Sequence, residues 1–256
     1  MKKIIYLSPS NHGKNQNKCL HSGCYEDKHC RKIAEACSKY LAMNGFVVIV
    51  ARESLNMTAR VNEANYNNAD LYVPIHTNAF GDPGVRYLMF MFYRDSEVYR
   101  EIFDAVSPAL EAIYPGNSKA KFAKRADLFE INRPIAKTMY CELGFHTNST
   151  DCDNFIHNYD MVGRALALGI CNYYGVGFRD GKDKNAEIVK GAPINCQNVP
   201  LYRTSISKEP AGRVTGTYYL WDGVVIKDRV RITNLPSRVG KLGQVTGWVN
   251  VDDIKL

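Results

Sequence analysis

The sequence predicts an α/β protein: a single open mixed sheet flanked by helices, followed by a small all-β barrel. Three observations carry this. Short β-branched apolar runs alternate with amphipathic stretches of helical period through residues 1–176. The alternation stops at "GVGFRDGKDKN", residues 175–185, which is rich in glycine and charge and reads as a linker. Beyond it, short β-rich runs separated by turns carry no helical period. At 256 residues and 45% hydrophobic composition, the chain is long and apolar enough to bury a large core and a second, smaller one. The expected units are 1–176 and 187–256, joined by a linker at 177–186.

Each element follows from local pattern. Residues 3–7 read as the first strand, with Ser8, Pro9, Ser10, Asn11 and Gly13 as the loop after it. From Glu26 to Asn44 the apolar positions Cys30, Ile33, Ala34, Cys37 and Leu41 recur at three- and four-residue steps, and Gly45 stands where a helix stops. Residues 46–50 are a buried strand, completing strand, helix, strand in the space of a βαβ unit. A helix at 56–69, a strand at 71–75, a strand at 85–93, a helix at 97–113, a strand at 135–141 with a loop from Glu142, and a helix at 161–174 follow. In the second unit strands are expected at 199–202, 213–220, 224–232 and 243–251. No internal repeat or low-complexity tract is visible.

Composition excludes some classes. No run approaches the ~18 apolar residues of a membrane-spanning helix, and the N-terminal "MKKIIYLSPS" is too short in its apolar part for a signal peptide. The expectation is a chain made in a reducing cytosol, with no membrane association. Its eight cysteines (19, 24, 30, 37, 141, 152, 171, 196) show no paired framework, so free thiols without a structural disulfide are expected. Five lysines and five arginines against six acids leave +4 in residues 187–256 and +3 in the rest. A basic small unit suits an anionic polymer, although ordinary surface charge would read the same. No GxGxxG or Walker-type loop follows a strand, and no basic patch interleaved with exposed aromatics supports nucleic acid as a partner.

In open α/β sheets, reactive groups gather where strands give way to loops at their carboxyl ends. His12 follows the first strand, His76 ends the third, and Glu142 ends the late strand "TMYCELGF". Glu26 opens the first helix near the same edge. Two imidazoles, a carboxylate and a spare carboxylate suit a catalytic zinc site, which takes three protein ligands, keeps one position open and needs a general base beside it. Each residue also has a plainer reading: a hydrogen-bonded strand-end histidine, an acid at a helix N-terminus, a surface carboxylate. The argument for chemistry is their coincidence at one edge. Cys19, Cys24 and Cys30, with His21 and His29 nearby, lack CxxC spacing and read as small buried or half-exposed thiols. His146 is expected to line the cleft and His157 to lie on the surface. "LMFMFY", residues 88–93, reads as core strand.

At these residues the chain resembles the zinc-dependent N-acetylmuramoyl-L-alanine amidases of the Amidase_3 type, found in bacterial autolysins, spore-cortex enzymes and phage endolysins. The resemblance covers about residues 1–176. It rests on "YLSPSNHG", "YEDKHCRKIAEACSKYLAMNG", "RVNEANYNNADLYVPIHTNAF" and "YCELGFHTNSTDCDNF", of which the last two are the more specific. It implies zinc as cofactor, His12, Glu26 and His76 as metal ligands, and Glu142 as the catalytic acid-base. The opening departs from the commoner "DPGHGG" form, and the Cys-rich loop at 14–25 is unusual for the family. Residues 187–256 resemble a bacterial SH3 domain, through "VVIKDRVRITN" and "GWVNVDDIKL", which implies cell-wall binding; Tyr218, Tyr219, Trp221 and Trp248 are the aromatics such a domain would offer to sugar or peptide.

Together the resemblances imply hydrolysis of peptidoglycan at the amide between N-acetylmuramic acid and L-alanine, by a phage or prophage endolysin or a host autolysin acting at the wall after release. A zinc peptidase cutting within the stem peptide or cross-bridge, and a non-catalytic wall-binding protein, are the alternatives.

Overall fold

The computed structural model describes residues 2–10, 17–20, 24–116, 119–181 and 188–254. The chain forms two compact units, Met1–Asp180 and Gly181–Leu256. In the first, β1 (Ile4–Pro9), β2 (Val47–Val50), β3 (Leu71–Asn78), β4 (Leu88–Phe92), β5 (Lys121–Lys124) and β7 (Tyr140–Phe145) lie in the order β2-β1-β3-β7-β4-β5, with the two-residue β6 (Lys137–Thr138) also pairing β3. Among the described residues only the β4–β7 pairing of this sheet is antiparallel, so the sheet is mixed.

Strand alternation sorts the side chains into two layers. Ile5, Leu7, Leu71, Val73, Ile75, Cys141 and Leu143 enter the larger core, with apolar positions of α1 (Glu26–Met43), α3 (Glu97–Glu111) and α6 (Tyr159–Tyr173). Tyr6 and Tyr72 face the other way and stack at 5.2 Å. There they meet Val61 and Ala64 of α2 (Met57–Tyr66), with Phe129 of the short α4 (Phe129–Asn132) against them. The helix layer is tight at α6: a Cβ on Gly163 would stand 2.6 Å from the Ala36 Cβ and 2.7 Å from the Cys37 nitrogen of α1.

Two pieces depart from the sequence reading. The late strand does not stop before Glu142; β7 runs on to Phe145, so Glu142 is a strand residue paired with His76. The register shifts immediately afterward, where Gly144 takes φ +78 and buried Asp151 accepts the Phe145 N–H at 2.9 Å. Asp151, on the three-residue α5 (Ser149–Asp151), also accepts from Tyr114 and Arg86, which fixes this end of the strand. The expectation of no disulfide is likewise corrected. Cys19 and Cys24 are bonded, because Lys18 and Tyr25 pair as an antiparallel bridge and bring their neighbours face to face. The other six cysteines are buried free thiols.

The second unit is a four-stranded antiparallel sheet, β11-β10-β9-β8, from β8 (Pro193–Leu201), the long β9 (Gly212–Ile226), β10 (Arg229–Thr233) and β11 (Gly247–Asn250). A bridge between Tyr202 and Trp248 brings the end of β8 back to β11, curling the sheet around Ile194, Cys196, Val214, Leu220, Ile232 and Val249.

Candidate functional site

The site is built on the face of the sheet that carries Tyr6 and Tyr72. Along β3, Tyr72, Pro74 and His76 share that face by alternation, and the His76–Glu142 register puts Tyr140 and Glu142 of β7 beside them. His76 is buried and stacks on Tyr140 at 4.6 Å with the rings 17° apart. Its Nδ1 lies 2.9 Å from Glu26 Oε1. Glu26, the first residue of α1 and 2% exposed, takes a second hydrogen bond from Asn17 Nδ2 at 2.9 Å. Burial by itself would raise the Glu26 carboxyl; the hydrogen bond and charge of His76, with Asn17 and Ser10, outweigh it and hold the group down to about 2. For His76, burial disfavours the cation but is outweighed by Glu26, Glu142 and Glu130, so its pKa is raised.

Glu142 is the counterpart. Its Oε2 is enclosed and has no hydrogen-bond partner among the described residues. Burial pushes its carboxyl up to about 7; the charge of Glu26 adds to this, while those of His76 and Arg125 oppose it. The carboxylate in contact with His76 and the one paired with it in register thus sit in opposite protonation regimes.

Glu130, which the sequence reading did not single out, completes the cluster. It is 3% exposed, its Oε1 accepts from Ser8 Oγ and Tyr72 Oη at 2.7 Å each, and its Oε2 lies 4.0 Å from His76 Nε2. The signal available was weak: "FEIN" places an acid between apolar residues, but the helix is four residues long. Arg60, fully buried, supports the end of β1 by donating to the Pro9 carbonyl at 2.5 Å and the Leu55 carbonyl at 3.0 Å.

Of the four expected site residues, the structure brings together Glu26, His76 and Glu142. His12 lies outside the described residues, as does His21. His146 is buried, with Nδ1 3.0 Å from Thr77 Oγ1, and Thr77 Oγ1 is 2.6 Å from His29 Nε2. These contacts fall on the other side of β3, since Thr77 follows His76 on the strand. His157 is half-buried and packed against cysteine, which corrects its reading as a surface residue.

The donor set fits a zinc ion: an imidazole and a carboxylate, both buried and in mutual contact, beside an enclosed carboxylate oxygen that no described residue satisfies. Such a site can bind an electrophilic metal and move a proton next to it.

Comparison with known proteins bears on the family and the fold. The family model described as N-acetylmuramoyl-L-alanine amidase matches residues 5–172. An uncharacterized protein of Bacillus subtilis, YqiI, is 25% identical over 179 residues, covering 67% of this chain and 85% of its own. Among solved structures, the amidase AmiC2 of Nostoc punctiforme superposes with a TM-score of 0.61 at 18% identity, over 68% of this chain and 98% of that one. The CwlD amidase of Clostridioides difficile, solved in complex with the GerS lipoprotein, gives 0.59 at 18% identity, over 68% and 99%. At such identities the superpositions speak for the fold.

Proposed function

The chain belongs to the N-acetylmuramoyl-L-alanine amidase family, and from that premise we propose that residues His12, Glu26 and His76 hold a catalytic zinc ion, with Glu142 as the proton-transfer group. The reaction is hydrolysis of peptidoglycan at the amide joining N-acetylmuramic acid to L-alanine, the first residue of the stem peptide. When bound, zinc would supply Lewis acidity toward the scissile carbonyl and the attacking water.

The chain's own residues account for the rest. Glu26, held ionised, fixes the His76 ring through Nδ1, and Tyr140 stacks on that ring and limits its tilt. Glu142, whose carboxyl is near neutrality in pKa, accepts the proton of the attacking water and returns it to the departing amino group. A group tuned near the working pH performs both transfers better than an ordinary carboxylate does. The observation that carries this reading is the enclosed Oε2 of Glu142, without a hydrogen-bond partner among the described residues, on a residue paired in register with His76.

The second unit would bind the cell wall in the manner of a bacterial SH3 domain. Its curled sheet supports this, as does a half-buried ladder across β9, β10 and β11 in which Arg231 lies 4.8 Å from the Trp221 ring and 5.2 Å from the Trp248 ring, offering stacking surface with a cation. The cellular setting we favour is synthesis in the cytoplasm and action at the wall after release, as in a phage or prophage endolysin.

Two variants test the assignment together. Glu142→Gln should retain zinc while turnover falls by about 10²–10⁴; His76→Ala should lose zinc on dialysis. Near-normal turnover in folded Glu142→Gln would remove its role, and undiminished zinc in folded His76→Ala would remove the ligand set.

A further inference from the structure

A second cluster of side chains of metal-ligating type lies on the opposite side of β3 from His76 and Glu142. The loop entering α1 folds back on itself: Cys19 N–H donates to the Cys24 carbonyl at 3.2 Å and Leu20 N–H to the His146 carbonyl at 3.3 Å. Across from it, a single π-helical turn, Cys152–Ile156, ends with the His157 N–H donating to the Cys152 carbonyl. Turns of this kind are rare and tend to mark functional positions.

The turn delivers the His157 ring to the cysteines. Its Nε2 is 3.1 Å from Cys24 Sγ and 3.8 Å from Cys19 Sγ, while His29 Nδ1, from the first turn of α1, is 3.5 Å from Cys24 Sγ. One ligand atom from each of the four residues lies within 4.8 Å of all the others. We propose that Cys19, Cys24, His29 and His157 form a structural zinc site, distinct from the hydrolytic one and filled when the two cysteines are reduced.

The chemistry fits zinc in particular. Two sulfurs and two imidazole nitrogens favour tetrahedral zinc, and four residues between the cysteines fall within the spacing of structural sites. A zinc ion with Zn–S of about 2.3 Å and Zn–N of about 2.0–2.1 Å sets ligand atoms roughly 3.3–3.8 Å apart, close to the sulfur–nitrogen distances here. The two thiolates balance the dication, so the half-buried cluster carries no net charge.

The outer contacts also suit a ligand. With its proton on Nε2, His29 donates to Thr77 Oγ1, Thr77 in turn donates to His146 Nδ1, and His29 Nδ1 is left as a lone pair facing the sulfurs. A metal-binding imidazole is commonly oriented by this sort of hydrogen bond from its other nitrogen. Disulfide and metal compete for the same two sulfurs. A phosphine reductant takes the disulfide and one water to two thiols and the phosphine oxide, and zinc then displaces the two thiol protons. Because Tyr25 and Glu26 follow the loop directly, the filled site would clamp the chain that carries Glu26 into the catalytic cluster.

The test uses the full chain, reduced with a phosphine in the absence of oxygen, stripped of metal and loaded with cobalt(II). Thiolate ligation gives an intense sulfur-to-cobalt charge-transfer band in the near ultraviolet. The hydrolytic donors include no sulfur, so this readout does not depend on the amidase assignment. The band should appear in the wild type and in Glu26→Gln, vanish in Cys19→Ser/Cys24→Ser, and be displaced by zinc. Its absence from reduced wild type with an unchanged circular dichroism spectrum would overturn the proposal and leave the pair as a disulfide alone. A band persisting in the folded double variant would overturn the ligand assignment. Should that variant not fold, release of zinc from reduced wild type by a thiol-blocking mercurial supports the site, and lack of release refutes it.

Discussion

An enclosed carboxylate oxygen with no partner among the described residues, such as Glu142 Oε2, weakens the fold. The sign of its pH effect follows from its pKa. Unfolded, the carboxyl titrates near its ordinary value; folded, it is pushed up to about 7 by burial. As pH rises between the two, the unfolded chain sheds a proton that the folded chain retains. Stability therefore falls across that window, and the loss, of roughly 3 kcal/mol at most, is complete above the folded pKa. Metal-free Glu142→Gln should accordingly melt higher than metal-free wild type at about pH 8, with the gap narrowing toward about pH 5; equal melting at the higher pH would show that the carboxylate is not strained. At this scale the sequence was partly legible. His76 and Glu142 interrupt apolar strand runs, where a polar residue is conspicuous. Glu130 was hidden because its partners, Ser8, Tyr72 and His76, come from strands far from it in the chain.

Elements were easiest to read where burial imposes a period. α1 keeps its three- and four-residue apolar spacing because one side packs on the sheet and on α6, and β3 is a continuous apolar run because both its faces are covered. β5, "KFAK", was missed: as the edge strand of the sheet it needs only one buried side and reads as a charged loop. The sequence stops β7 before Glu142 and the structure does not, because a glutamate inside a buried strand looks like a terminus until the partner strand supplies a matching histidine. Packing between elements gives its own prediction. Gly163 lets α6 approach the backbone of α1, so Gly163→Ala should destabilise the first unit by about 1–3 kcal/mol through overpacking. A melting temperature within error of wild type would mean that the helices separate without cost.

At the scale of the whole molecule, the described residues form three apolar clusters, two on the faces of the first unit's sheet and one in the second unit, and no residue of the second unit's core belongs to the first unit's clusters. The change of pattern near residue 176 was visible because a curled antiparallel sheet has no helical period, whereas the curl itself depends on a bridge from Tyr202 to Trp248 that spacing does not reveal. Separate cores predict separable tasks. Residues 1–180 alone should cleave soluble muropeptides at close to the full-length rate but be retained less on sedimented peptidoglycan. Equal retention of the two proteins in a pull-down would take wall binding away from the second unit. The central claim, zinc-dependent cleavage at the first amide of the stem, is tested most directly by mass spectrometry of the soluble products released from purified peptidoglycan, with and without a chelator. The account predicts free stem peptides beginning with L-alanine, uncut glycan strands, and the loss of both on chelation with recovery on zinc. Peptides cut at any other bond, or the same products undiminished after the metal is removed, would contradict it.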